Sequence, residues 1–216
     1  SGHYSLFRNT TGHSNTASGT SSLRSNTTGS KNTASGRESL NANTEGWNNT
    51  ASGYQSLFSN TTGGQNVAIG VEALNSNTTG AQNTASGYQS LKANTTGNNN
   101  TAYGYRSMYS STSASGNTAI GSYSVFSNTT GFNNTANGFQ SLYSNTTGNY
   151  NTAIGYYGLK SNTTGGNNTA MGRSAGDVIT TGSENVMIGY GTDPSAATAS
   201  NQIVIGYGAS GQGDDY

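Results

Sequence analysis

The sequence contains no cysteine and a single proline. The first absence excludes a disulfide framework and a thiolate zinc site. Charge is almost as scarce, with Asp, Glu, Lys and Arg making up 7% of the residues where a usual globular domain carries about 25%. Apolar residues reach only 30%, against about 45–50% in such a domain when Gly is counted with them. An ordinary globular core is therefore excluded. No apolar run approaches the roughly 20 residues of a membrane-spanning helix, which argues against membrane insertion. No signal-peptide pattern is visible. The chain starts at Ser1 and stops at Tyr216 in mid-repeat, so we read it as an excerpt of a longer chain in which a targeting signal would lie elsewhere. Net charge is zero, but all eight Lys and Arg lie at or before Arg173 and five of the eight acids at or after Asp177. Diluted over so many repeats, the positive excess of the body makes no basic stripe. Nothing electrostatic favours nucleic acid or an anionic membrane as a partner.

Asn, Thr, Ser and Gly fill the space left by these absences, and they do so periodically. Asn-Thr-Ala-x-Gly begins at Asn15, Asn32, Asn49, Asn66, Asn83, Asn100, Asn117, Asn134, Asn151 and Asn168, and continues in altered form at Asn185 and Gln202. The spacing is 17 residues throughout, giving eleven complete copies over 15–201 with partial copies at both ends. Numbered from that Asn, the consensus is Asn-Thr-Ala-Ser/Ile-Gly-Tyr-x-Ser-Leu-x-Ser-Asn-Thr-Thr-Gly-x-x. Helical solenoid units need about 33–47 residues, and collagen needs Gly at every third position. Calcium-binding nonapeptide repeats need Asp, which the body lacks. An Asn-rich disordered chain would give no reason for a strict Leu period. These exclusions leave an all-β fold, a parallel β-solenoid with one coil per 17-residue repeat. We divide it into a regular segment, 1–172, and diverged C-terminal coils, 173–216.

The positional chemistry fits. Gly at positions 5 and 15 can adopt positive φ, and Asn at positions 1 and 12 tolerates the left-handed region, so all four read as corners. Two extended stretches are expected between them, Thr-Ala-Ser/Ile and a segment around Ser-Leu. Alternation of strand side chains places position 3 (Ala51, Ala85) and position 9 (Leu57, Leu91, Leu142, Leu159) in the core, with Gln55, Lys92 and Arg106 exposed. Position 4 is Ser in early copies and Ile120, Ile154, Ile188 and Ile205 in later ones, a face suited to solvent in one region and an interface in another. One Leu and one Ala are little apolar mass to offset the ordering of 17 residues. A homo-oligomer is therefore expected, a trimer in the first instance, with its driest contacts after residue 170. At ~4.8 Å per coil the rod would be ~60 Å long.

Asn66-Val67-Ala68-Ile69-Gly70, Asn117-Thr118-Ala119-Ile120-Gly121 and Asn151-Thr152-Ala153-Ile154-Gly155 resemble the head repeats of trimeric autotransporter adhesins and, equally, repeats of phage tail-fibre proteins. The stretch from Ser174-Ala175-Gly176 through Ile179-Thr180-Thr181-Gly182 to Asn201-Gln202-Ile203-Val204-Ile205-Gly206 resembles the segment that closes such repeats ahead of a trimerisation region. The resemblance implies a left-handed parallel β-roll, a trimer and a role in attachment. The Asn-Thr-Thr-Gly corner departs from the shorter, less regular coils of adhesin heads.

No catalytic constellation is visible, no cofactor is implied, and we expect no enzyme. His3 and His13 read as surface residues, and Glu38, Glu45 and Glu72 do not form an acid/base pair. Asp177, Glu184, Asp193, Asp214 and Asp215 match no cation-binding loop. Position 6 carries Tyr54, Tyr88, Tyr105, Phe139, Tyr156, Tyr190 and Tyr207, while position 10 carries Phe7, Phe58, Tyr109, Phe126 and Tyr143. Each set would line one edge, either shielding the ladder or filling a chain interface, or else offering an aromatic platform to a glycan or receptor. Adjacent Thr at positions 13 and 14 point to opposite faces, which disfavours ice binding. Asn9, Asn26, Asn60, Asn77, Asn94, Asn128, Asn145 and Asn162 head Asn-Thr-Thr glycosylation sequons, and Asn48, Asn99, Asn133 and Asn167 form a second set through Asn-Asn-Thr. The reading of the same residues as simple corner and ladder residues is preferred. The reading with most support is a non-catalytic fibre shaft of an adhesive appendage, extracellular, at a cell surface or on a virion. The alternatives are a self-assembling glycan-coated extracellular filament and a repeat surface that itself binds carbohydrate.

Overall fold

The structure, a computed structural model, describes residues 2–213. Twelve three-residue strands, from β1 (Thr16–Ser18) to β12 (Ile203–Ile205), form one parallel sheet in sequence order. Each residue pairs with its equivalent 17 positions on, as Thr16 with Thr33 and Ala17 with Ala34. No helix occurs among the described residues, and none is long and apolar enough to cross a membrane. The fold is a β-solenoid with one coil per repeat. The diverged tail continues it, with β11 (Val186–Ile188) and β12 in the same register.

Strands occupy only positions 2–4. The Ser-Leu segment, expected from the sequence to be extended, is instead a run of turns over positions 6–11. Its backbone alternates in hand: position 7 (Gln55, φ 52°) and position 9 (Leu57, φ 50°) are both left-handed, as is position 17 (Gln65, φ 61°). A left-handed L-residue costs roughly 1–2 kcal/mol, and Leu gives no sequence signal for it. The turns keep their cost because every coil bonds to its neighbours there as well. Leu23 N–H donates to Ser39 O (3.0 Å), Ser25 N–H to Asn41 O (3.0 Å) and Glu38 N–H to Thr20 O (2.9 Å). The inter-coil ladder thus runs around the whole perimeter rather than along one sheet.

Ala at position 3 and Leu at position 9 are fully buried from Ala34 and Leu23 onwards, and Ala51, Leu57, Ala85, Leu91, Leu142 and Leu159 all belong to this core. The two asparagines lie inside as well and do not take positive φ, which corrects their reading as left-handed corners. Position 12 forms a side-chain ladder in which Asn43 Nδ2 donates to Asn26 Oδ1 one coil back (2.8 Å) and to Gly46 O in its own coil (3.0 Å). Position 1 forms another. Asn32 Oδ1 accepts from Asn49 N–H (2.9 Å), and Asn32 Nδ2 reaches Gly46 O (2.8 Å). The second ladder runs unbroken to Gln202, whose N–H donates to Asn185 Oδ1. Buried amides that bond from coil to coil, with breaks in the position-12 ladder only at Ser111 and Ile179, contribute cohesion that an apolar count misses. Gly at position 15 also differs from expectation. It does not take positive φ; it is there for space, because a Cβ on Gly29 would lie 2.5 Å from Asn26 Oδ1. Gly at position 5 does take positive φ, as at Gly53 (134°).

Candidate functional site

Aromatic and charged side chains gather on the edge formed by the turn run. Because positions 7 and 9 are left-handed, positions 6, 7 and 10 all project there, and the two aromatic edges expected from the sequence become one. Tyr88 and Tyr105 stack at 5.3 Å between centroids, as do Tyr109 and Phe126, and Phe126 stacks on Tyr143 at 5.2 Å. Tyr123, at position 7, joins the columns. It lies edge-on to Tyr105 (5.2 Å) and Phe126 (5.5 Å). Phe139 continues the surface to Tyr156 (5.3 Å), which leans on Tyr157 (4.0 Å). Tyr54 stands apart, beneath the Arg37 guanidinium. Arg106 lies over Tyr105 and Tyr109 (5.4 Å each), and Arg173 over Tyr156 and Tyr190. Tyr123 and Tyr157 are the members that position-by-position reading missed, since both sit at position 7, a column filled mostly by Gln, Glu, Arg and Ser.

Stacking along the axis decides what this surface offers. Ring planes within each column are nearly parallel, 5–19° apart. Their faces therefore meet one another or an overlying guanidinium, and ring edges are turned outward. A sugar docks against an open ring face, and the columns present few. Desolvation, then a hydrogen bond with Tyr105, raises the Tyr123 phenol above its ordinary pKa. A hydrogen bond with Tyr157 is the leading cause of the same shift at Tyr156. Both phenols are neutral at physiological pH.

Beside the rings runs a polar ladder at position 7. Gln55 donates to Glu38 (2.8 Å), Gln89 to Glu72 (2.7 Å), and Arg106 Nε to Gln89 Oε1 (2.8 Å). Lys92 Nζ lies 2.8 Å from Glu72 Oε2. These bonds draw Gln55, Lys92 and Arg106 against the rod, so they are half-buried rather than exposed, and Gln89 is buried. The hydrogen bond from Lys92, followed by that from Gln89, lowers the Glu72 pKa, and the Glu72 bond raises that of Lys92.

The sheet face is different. Position 4 points outward along its whole length, with Ser18, Ser35 and Ser52 at one end and Tyr103, Ile120, Ile154, Met171 and Ile205 exposed towards the other. Thr at position 13 does not offer its hydroxyl to a lattice; Thr27 Oγ1 donates to Thr44 O (3.0 Å). The outward hydroxyl pairs are instead Thr16/Ser18, Thr33/Ser35 and Thr50/Ser52, and Val67–Ile69 interrupts them.

His3 and His13 are exposed. Among the described residues no group of three His, Cys, Asp or Glu side chains could hold a metal; Asp214 and Asp215 lie outside those residues. Of the Asn-Thr-Thr sequons, Asn26, Asn60, Asn77, Asn94, Asn128, Asn145 and Asn162 are fully buried and Asn9 partly so. Their amides are the position-12 ladder, and a sugar on Nδ2 would remove a ladder donor and have nowhere to go. Asn48, Asn99, Asn133 and Asn167 are exposed. Compared with protein-family models, with curated proteins and with solved structures, the chain has no match.

Proposed function

We propose that this chain is a non-catalytic structural element, the shaft of an extracellular or virion-borne adhesive fibre that assembles as a homotrimer. The observation that carries the reading is perimeter-wide stacking: backbone bonds on strands and turns, plus two interior amide ladders, tie each coil only to its neighbours. Such a molecule is quasi-one-dimensional. It is suited to setting a distance, about 50 Å for eleven coil-to-coil steps at ~4.8 Å each. Assembly is supported by exposed Tyr103, Ile120, Ile154, Met171 and Ile205 on the sheet face, interrupted by exposed Asn137 and half-buried Ile188, since apolar surface gathered on one face marks an interaction site. The buried asparagine ladders remove the need for partner chains as a source of core, so the case for oligomers rests on those apolar residues.

Multi-angle light scattering on the purified chain tests the reading. A mass of three chains is expected, and Ile120→Lys/Ile154→Lys/Met171→Lys should yield a monomer with an unchanged circular dichroism spectrum. A monomeric parent chain would overturn the trimer and leave a single-chain rod.

A further inference from the structure

The twelve Asn-x-Thr sequons divide by burial, and the division follows the repeat. Eight belong to the interior ladder. Four stand at position 17, one residue before the next coil begins, and all four are exposed: Asn48, Asn99, Asn133 and Asn167. We propose that these four are the N-glycan attachment sites of this protein, placed so that sugars line one edge of the folded rod.

Three features of the fold support the assignment. First, position 17 is a left-handed corner (φ 54°, 57°, 54° and 57° at the four residues), which Asn adopts more readily than most residues. The side chain stands off the rod there. Second, the hydroxyl residue of each sequon is an outward strand residue. Thr50, Thr101 and Thr135 are exposed and Thr169 half-buried, so amide and hydroxyl are both accessible while the residue between them, such as Asn49, is buried. Third, the sites are two or three coils apart, ~10–14 Å along the axis, so no two sugars would compete for adjacent coils. Two sites have aromatic neighbours against which a sugar could pack: Trp47 precedes Asn48, and Phe132, in contact with Tyr150, precedes Asn133.

In the reaction, Asn Nδ2 forms a bond to the anomeric carbon of a nucleotide-activated hexose. The nucleoside diphosphate departs with the bonding pair, and one amide proton is lost to base. At position 12 the same step would delete a donor that spans two coils; at position 17 no ladder is touched.

The test uses the folded full chain, a soluble N-glycosyltransferase that recognises Asn-x-Ser/Thr, and UDP-glucose, with peptide mapping by mass spectrometry. Hexose is expected on Asn48, Asn99, Asn133 and Asn167 and not on Asn26, Asn60, Asn77, Asn94, Asn128, Asn145 or Asn162. A synthetic peptide of residues 58–64, bearing the Asn60 sequon free of the fold, should accept the sugar. Thr50→Ala should abolish modification at Asn48 alone. Absence of hexose from the four sites overturns the proposal, and so does modification of the ladder asparagines in the folded chain. The outcome does not depend on trimer formation, so failure here and failure of the fibre reading are separable.

Discussion

Ser111 and Ala114 stand where the coils on either side carry Asn and Gly, and the paired change is informative. A Cβ at position 15 crowds Asn Oδ1 at position 12, as at Gly97, where it would lie 2.5 Å from Asn94 Oδ1. Beside the short Ser111, Ala114 meets no amide oxygen at position 12, although the carbonyl of the next coil, Ala114 O for a Cβ at Gly97, crowds position 15 as well. The exchange breaks the ladder and leaves Asn94 Oδ1 and Ser111 Oγ buried without partners. Restoring both residues, Ser111→Asn with Ala114→Gly, should stabilise the rod by about 1–3 kcal/mol, the cost of a buried unsatisfied group. Ser111→Asn alone should gain little, since Ala114 would crowd the new amide. Urea unfolding midpoints compare the two variants directly. A second break, at Ile179, leaves Asn162 Oδ1 unpartnered; there Gly176 replaces Leu at position 9 and Ile179 fills the vacated core, with its Cδ1 3.1 Å from where a Gly176 Cβ would stand.

Asp193 gives a pH prediction at the same scale. Burial, then the charge of Asp177, raises its carboxyl above the ordinary 3.8, opposed by a backbone hydrogen bond from Val178. An acid raised in the folded state contributes stability while protonated, below its unfolded value. That contribution is lost as pH rises through its folded value. Asp193→Asn keeps an acceptor for Val178 and cannot ionise. It should match the parent in acid and exceed it at neutral pH, as read by thermal melts across the acid range. Equal melting temperatures at neutral pH would contradict the assignment.

At the scale of the element, ten of the eleven complete coils hold left-handed corners at all three of positions 7, 9 and 17, Asp193 being the exception at position 9, and the corners differ in what they tolerate. Position 9 is filled by buried Leu, whose packing offsets the backbone cost. Position 17 is exposed, and Gly116 occupies it in one coil (φ 71°). Gln82 (φ 60°) is exposed there. Gln82→Gly should therefore raise stability by a few tenths to about 1 kcal/mol, the relief of strain less the extra freedom of unfolded Gly. Gln82→Val should cost more than about 1 kcal/mol, because a β-branched residue is a poor left-handed one. Denaturant melts give the sign of each. In the core of the element, Leu91→Asp should cost several kcal/mol by burying an unpaired charge.

At the scale of the whole molecule, a rod whose coils contact only neighbours should tolerate the loss of one whole coil. Deleting residues 66–82 brings Asn49 against Asn83, Leu57 against Leu91 and Gln55 against Gln89, so both ladders and the core close again. A folded protein with a preserved circular dichroism spectrum is expected. Deleting only residues 66–73 removes half a period, puts core positions opposite corners at that junction and should split the rod into two segments that melt separately.

The sequence by itself determined the period, the parallel register and the inward Ala and Leu. A 17-residue repeat without insertion, with two positions of conserved size, admits few other ways to bury anything. It did not reveal what lay between. Leu carries no signature of positive φ, so Leu57 and Leu91 read as strand residues when they are turn residues. Asn is as common at corners as inside ladders, and only coil-to-coil stacking shows that Asn26 and Asn60 face inward, where amides 17 residues apart bond to one another. The same stacking decided the candidate sites. It merged two aromatic columns through Tyr123, covered ring faces with ring faces, withdrew the Asn-Thr-Thr sequons into the core and left Asn48, Asn99, Asn133 and Asn167 outside. These outcomes depend on the hand of the backbone at positions 7, 9 and 17, a property that the inter-coil hydrogen bonds impose and that no residue type in those positions announces.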